Sequence, residues 1–213
     1  MDENKKAGPE NIDNAETSNS FNDPDLTVNE VQIDYSKEYT YTDYLQWPDY
    51  PRYEIIDGLA YLMSSPNLIH QELLMNLSAE VRNYLKGKAC KVFAAPCDVR
   101  LDAQKKDRSV VQPDLIIVCD RSILDGASIT GVPDMVAEIL SPSTAKYDMT
   151  VKFNKYQKSG IREYWIIDPV NKTVIVHILK GTKYVSYPYT SKDKVPVHVL
   201  EDCVIDLCEI FEE

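Results

Sequence analysis

Apolar residues recur along this chain with two different periods, and the alternation between them predicts most of its elements. Between residues 67 and 85 they fall at Leu73, Leu74, Leu77, Val81, Tyr84 and Leu85, the three-and-four spacing of a helix with one buried stripe. Gly87 supplies its stop. Thr42-Asp43-Tyr44-Leu45-Gln46-Trp47-Pro48 opens on a capping residue and closes on proline, which predicts a short helix. Elsewhere short apolar runs bounded by turn residues predict strands. Two of them, residues 53–56 and 59–63, flank Asp57-Gly58, the strongest short hairpin signal in the chain. Others lie around 90–101 and 110–118, on either side of the polar loop 102–108, and at 135–140, 163–168 and 173–179. Residues 148–159 read as a second helix, with Asp148 as its cap, Gly160 as its stop and Met149, Phe153 and Tyr156 on one side. A β segment and a short tail close the chain after residue 200.

Two carboxylates break this pattern. The run Met135-Val136-Ala137-Glu138-Ile139-Leu140 is too short for an independent helix and ends at Ser-Pro-Ser, so it reads as a buried strand with one acid inside. Side chains alternate across a strand, which puts Glu138 on one face with Val136 and Leu140, and Met135, Ala137 and Ile139 on the other. An uncompensated ion there costs several kcal/mol, so a cation is expected beside it. Upstream, Val110-Val111-Gln112-Pro113-Asp114-Leu115-Ile116-Ile117-Val118 carries Asp114 in the same way. Two acids on strands suit a hard divalent cation held against a phosphate, and a lysine is then required nearby. Lys152 lies four residues after Asp148 and four before Tyr156, so the three project from neighbouring turns of one surface. Lys146, Lys155, Lys158 and Arg162 make this the most basic short stretch of the chain. Glu54 is a further acid beside an apolar run. His70 opens the first long helix, where a lone histidine is more often a cap or a packing group, and it is left out of the predicted site.

The net charge of −11 changes this picture less than its size suggests. Twelve acids and three lysines fall in residues 1–50, leaving 51–213 near −2, so the acidity belongs mainly to the leader. Residues 1–36, rich in Asn, Asp, Glu and Ser without a sustained apolar period, are expected to be a disordered acidic leader, with one domain over 37–213. A phosphate-bearing substrate is not excluded. Five cysteines in odd number and without a C-x-x-C pair argue against a disulfide framework and a zinc knuckle, and read as reduced, mostly buried thiols. No apolar stretch approaches the roughly 20 residues of a membrane span, and no signal peptide is visible, so a cytoplasmic location is expected.

In order, Tyr53-Glu54-Ile55-Ile56-Asp57-Gly58, Gln112-Pro113-Asp114, Glu138-Ile139-Leu140-Ser141-Pro142-Ser143-Thr144, Asp148 with Lys152 and Tyr156, and Gly160-Ile161 followed by Glu163-Tyr164-Trp165-Ile166-Ile167-Asp168-Pro169 resemble the Uma family of restriction-endonuclease-like proteins, in the PD-(D/E)XK nuclease superfamily. The resemblance covers about residues 40–210. It implies a restriction-endonuclease-like α/β fold, a mixed β-sheet flanked by helices, and Mg²⁺-dependent hydrolysis of DNA phosphodiester bonds, with Mn²⁺ as a substitute. It implies metal ligation by Asp114 and Glu138, completed by Glu54 and the Ile139 carbonyl, and catalytic roles for Lys152 and Tyr156. The chain departs from the superfamily pattern at Leu140, where a lysine is usual, and Lys152 matches a position on the following helix to which the family moves it. A homodimer is expected by analogy with nucleases that cut both strands. Two other classes stay open: a module on the same fold that binds nucleic acid without cutting, and a protein-interaction module working through the acidic leader.

Overall fold

The computed structural model describes residues 33–212. All but the last four residues of the expected leader lie outside them. The chain enters through α1 (Tyr41–Tyr44) and a hairpin of β1 (Tyr53–Ile56) and β2 (Leu59–Leu62), then runs through the long helix α2 (Leu68–Tyr84). Four strands follow: β3 (Lys91–Ala94), β4 (Val99–Arg100), β5 (Val110–Val111) and β6 (Leu115–Val118). After β7 (Met135–Ile139) a helical stretch is built from α3 (Ala145–Tyr147), a π turn over Asp148–Lys152 and α4 (Phe153–Ser159). The rest comprises β8 (Glu163–Asp168), β9 (Thr173–Lys180), β10 (Lys183–Thr190), β11 (Lys194–Pro196), β12 (Val204–Asp206) and α5 (Leu207–Phe211).

The main sheet is six-stranded and mixed, in the order β10-β9-β8-β7-β6-β3, with β7 and β8 parallel and the other neighbours antiparallel. A four-stranded sheet, β2-β1-β5-β4, stands apart from it. The expected mixed α/β fold is therefore present. Alternation along β7 divides the core as its sequence predicts: Met135, Ala137 and Ile139 join the α2 residues Leu73, Leu74, Leu77 and Val81 in one cluster, while Val136 and, at its margin, Leu140 pack into another with Tyr156 and Tyr164. In the β1–β2 hairpin, Ile56 pairs with Leu59, and Asp57 and Gly58 both take positive φ, 51° and 89°, as a two-residue turn of this hand needs. A Cβ on Gly58 would stand 2.8 Å from Arg108 Nη2, which donates to the Asp57 carbonyl.

Several expectations need correction. The first helix is capped by Thr40, not Thr42, because Asp43 then falls at the third position and closes a reciprocal capping box. The runs at 90–101 and 110–118 are each two strands in two different sheets, broken at Ala95-Pro96 and at Gln112-Pro113-Asp114, since proline has no N–H to continue a ladder. Asp148 is not a helix cap: the helical stretch begins three residues earlier and Asp148 is buried within it. Met149 is 50% exposed although Tyr156 is fully buried; the wide π turn shifts the buried face onto Asp148 and Lys152. Cys90 and Cys119 form a disulfide. Parity and spacing do not reveal it, because it follows from register: Lys91 opposes Val118 across β3 and β6, and the next pair outward is the two cysteines, 4.0 Å apart at Cα. The C-terminal segment ends in α5 rather than in a tail. Among the described residues no helix is long and apolar enough to cross a membrane.

Candidate active site

Five elements converge on a cavity of about 300 Å³ lined by Glu54, His70, Asp114, Glu138, Ile139, Asp148 and Lys152, among others. Asp114 immediately precedes β6, and the antiparallel register that opposes Leu115 to Ala137 sets Asp114 opposite Glu138. The proline before it frees Asp114 from the strand, so its side chain turns across the gap and Oδ2 accepts from the Ile139 amide at 2.7 Å. His70 Nε2 lies 3.1 Å from the same oxygen. Asn67 accepts from the His70 amide and thereby starts α2 with that histidine facing the strands. Glu54 comes from the other sheet. On β1, Ile55 packs away with Tyr39 and Val110, and Ile56 packs inward, so Glu54 shares the inward face.

Lys152 is the hub of the charges. Its Nζ donates to Glu138 Oε1 at 2.9 Å, stands 3.0 Å from Glu54 Oε1 and 3.7 Å from Asp148 Oδ1. Two of its three N–H donors are thus engaged by carboxylates and one remains. The Tyr156 hydroxyl donates to Glu138 Oε1 at 2.7 Å, and that of Tyr147 to Glu54 Oε2 at 3.2 Å. Glu54 Oε1 also accepts from the Gln112 amide at 2.7 Å. Both oxygens of Glu54 are therefore occupied by protein donors. Among the described residues, the hydrogen bonds of Asp114 fall on Oδ2 and those of Glu138 on Oε1, leaving one oxygen of each as an open acceptor.

The electrostatics follow from burial. Glu138 is 4% exposed, and desolvation raises its pKa well above the usual carboxylate range; Lys152 opposes that rise, while Asp148, Asp114 and Glu54 add to it. Burial also pushes Asp148 up to about 6. Burial works against the Lys152 ammonium too, but Glu138, Glu54 and Asp148 outweigh it and hold the lysine pKa well above its usual value. Three carboxylates surround one ammonium and Asp114 lines the same cavity, and the surplus of negative charge in a poorly hydrated place is the condition a divalent cation relieves. Among the described residues no three His, Cys, Asp or Glu side chains converge as a complete protein cage would require. The donor set nevertheless fits Mg²⁺, which is commonly held by one or two carboxylates with water and substrate phosphate completing the octahedron.

All the sequence-predicted positions thus meet in one place: Asp114, Glu138, Ile139, Lys152, Tyr156 and Glu54. Sequence reasoning missed two neighbours. His70 was set aside as a cap or packing group, yet its ring touches Asp114; its position just after the Asn67 cap was the available signal. Tyr147 gave no signal, because it lies on α3 and its contact with Glu54 on β1 spans 93 residues of chain.

The model of the Uma2 family, described as "Putative restriction endonuclease", matches residues 41–207. The uncharacterised protein slr1290 of Synechocystis is 27% identical over 127 residues, 59% of this chain, and the chain spans 65% of that protein's length. A crystal structure from Anabaena variabilis of a protein described as "a putative nuclease belonging to DUF820" superposes with a TM-score of 0.65 at 20% identity, covering 82% of this chain and 98% of that one, which establishes the likeness of fold. With more than three quarters of its length under the family model, the chain belongs to the Uma2 family.

Proposed function

We propose that this protein is a metal-dependent endonuclease that hydrolyses DNA phosphodiester bonds at the Asp114–Glu138–Lys152 cluster. The observation that carries the reading is the cross-strand pairing of Asp114 with Glu138, each with an open oxygen, while a buried ammonium sits 2.9 Å from the second acid. Asp114, Glu138 and the Ile139 carbonyl would hold Mg²⁺ or Mn²⁺. Such an ion, when bound, polarises a phosphoryl oxygen and lowers the pKa of water. The remaining work belongs to the chain. His70 and the Ile139 amide fix Asp114, leaving its other oxygen to face the cavity. Lys152 keeps its proton because three acids surround it, and its third N–H meets the attacking water or the charge growing on the phosphoryl oxygens. Glu54, Asp148 and Tyr156 act as positioning residues in this scheme: the first two orient the ammonium, and the tyrosine holds Glu138 by its hydroxyl. Glu54, expected from the family resemblance as a metal ligand, takes this positioning role because both its oxygens already serve protein donors.

The test is cleavage of plasmid and single-stranded DNA with Mg²⁺ or Mn²⁺. Removing a preorganised charge from a catalytic site typically costs about 10²–10³-fold in rate, so Asp114→Asn and Lys152→Met should each fall by at least that much. A parent protein that binds DNA but cuts neither substrate would replace this reading with a binding module on the same fold.

A further inference from the structure

A second and larger cavity adjoins the candidate active site. It measures about 540 Å³ and is lined by Tyr44, Trp47, Tyr53, Arg52, Asp98 and Gln112, among others. Arg52, Pro96 and Gln112 line both cavities, so the two are contiguous. The aromatic residues form one packed group: Trp47 meets Tyr44 at 5.8 Å and Tyr53 at 5.4 Å between ring centroids, both edge-on. A polar chain fixes the opposite wall. Asp98 Oδ1 accepts from the Tyr44 hydroxyl at 3.0 Å and from Gln112 Nε2 at 2.9 Å, and the Gln112 carbonyl oxygen accepts from Arg52 at 3.4 Å.

We infer that this cavity holds the unstacked nucleobase of the nucleotide next to the scissile phosphate. Aromatic side chains beside a backbone channel are what an unpaired base requires, because every base offers a π face. The guanidinium of Arg52 stands where the two cavities meet, at the place of a phosphate linking the cut position to that nucleotide. Asp49 and Asp98 in the lining disfavour a phosphate inside this cavity and favour a neutral ring. The inference rests on the nuclease reading, since the scissile phosphate defines the neighbouring nucleotide.

The experiment uses the full chain with Mg²⁺ and an end-labelled single strand of about 30 deoxyadenosines carrying one stable abasic analogue at its centre. Cut positions are read from product lengths. Cutting should fall by about tenfold or more at one fixed offset from the abasic position, and Trp47→Ala should flatten the profile. Equal cutting at every phosphate around the abasic analogue overturns the inference. A binding measurement separates the two failures. Trp165 is fully buried, so quenching of tryptophan emission by dAMP reports Trp47 and should vanish in Trp47→Phe. Quenching without any cutting sinks the nuclease reading and leaves a base pocket, whereas cutting with neither offset nor quenching sinks the pocket alone.

Discussion

A single hydroxyl illustrates how closely the residues at this site depend on one another. Tyr156 is fully buried, and its pKa is raised by burial and by Glu138, so its O–H stays a donor to Glu138 Oε1. Tyr156→Phe keeps the ring in place among its neighbours but leaves a buried carboxylate one donor short, which costs about 1–3 kcal/mol. Chemical denaturation should show that loss, and DNA cleavage should slow by about 10- to 100-fold without a change in cut position. Full activity in Tyr156→Phe would mean that the orientation of Glu138 does not depend on it. His70 is the complementary case. Its Nε2 meets Asp114, while among the described residues its buried Nδ1 has no hydrogen-bond partner, so Nε2 is the nitrogen through which the ring acts on the site. His70→Ala should therefore weaken Mg²⁺ binding by about 10- to 100-fold, read by calorimetry, with a smaller effect on folding.

Strand periodicity carried the most information at the scale of elements. The faces of β7 and the hairpin at Asp57-Gly58 were legible because period two and turn chemistry are local. The approach of Asp114 to Glu138 depends on register between strands, the Cys90–Cys119 bridge depends on register at the far end of the same sheet, and neither is encoded in spacing. The π turn at Asp148–Lys152 was equally invisible, since regular helical spacing predicted Met149 inside and the structure puts Asp148 and Lys152 there. Such wide turns recur at functional sites, and here Asp148, Lys152 and Tyr156, spaced four residues apart, are buried while Met149 is turned out to solvent. Deleting the exposed Thr150 would restore ordinary helical winding and rotate one side of the turn by about 100°. The expected protein melts cooperatively but has lost more than 99% of its activity. A deletion variant with parental activity would show that the π turn is not needed. At the other end of the sheet, replacing Cys90 and Cys119 by serine should lower stability by about 2–4 kcal/mol in oxidising buffer and leave cleavage unchanged.

For the molecule as a whole, the acids grouped around Lys152 make folding depend on pH with an unusual sign. A carboxyl whose pKa is higher in the folded than in the unfolded state binds more protons when folded, so stability falls as pH rises. For Asp148 the change runs from an unfolded value of 3.8 to about 6. Its contribution is fully favourable below pH 4 and is lost between pH 4 and 6, an effect on the order of 3 kcal/mol. Glu138 shifts in the same direction, with burial as the main cause, and extends the decline upward. Lys152 does not reverse the trend, because its own pKa lies well above this window. Surface acids such as Asp43 and Asp57, held below their usual values by lysine partners, work in the opposite direction, so the component is read by difference: in metal-free melts the stability of the parent relative to Asp148→Asn should decline across that window. A bound divalent cation favours the ionised acids, so Mg²⁺ should stabilise the fold more at pH 8 than at pH 5. At a hundred times its dissociation constant it should add about 2.7 kcal/mol. A stability of the parent relative to Asp148→Asn that does not fall from pH 4 to 6, or Mg²⁺ stabilisation that is equal at both pH values, would mean that these acids are not held as the buried cluster requires.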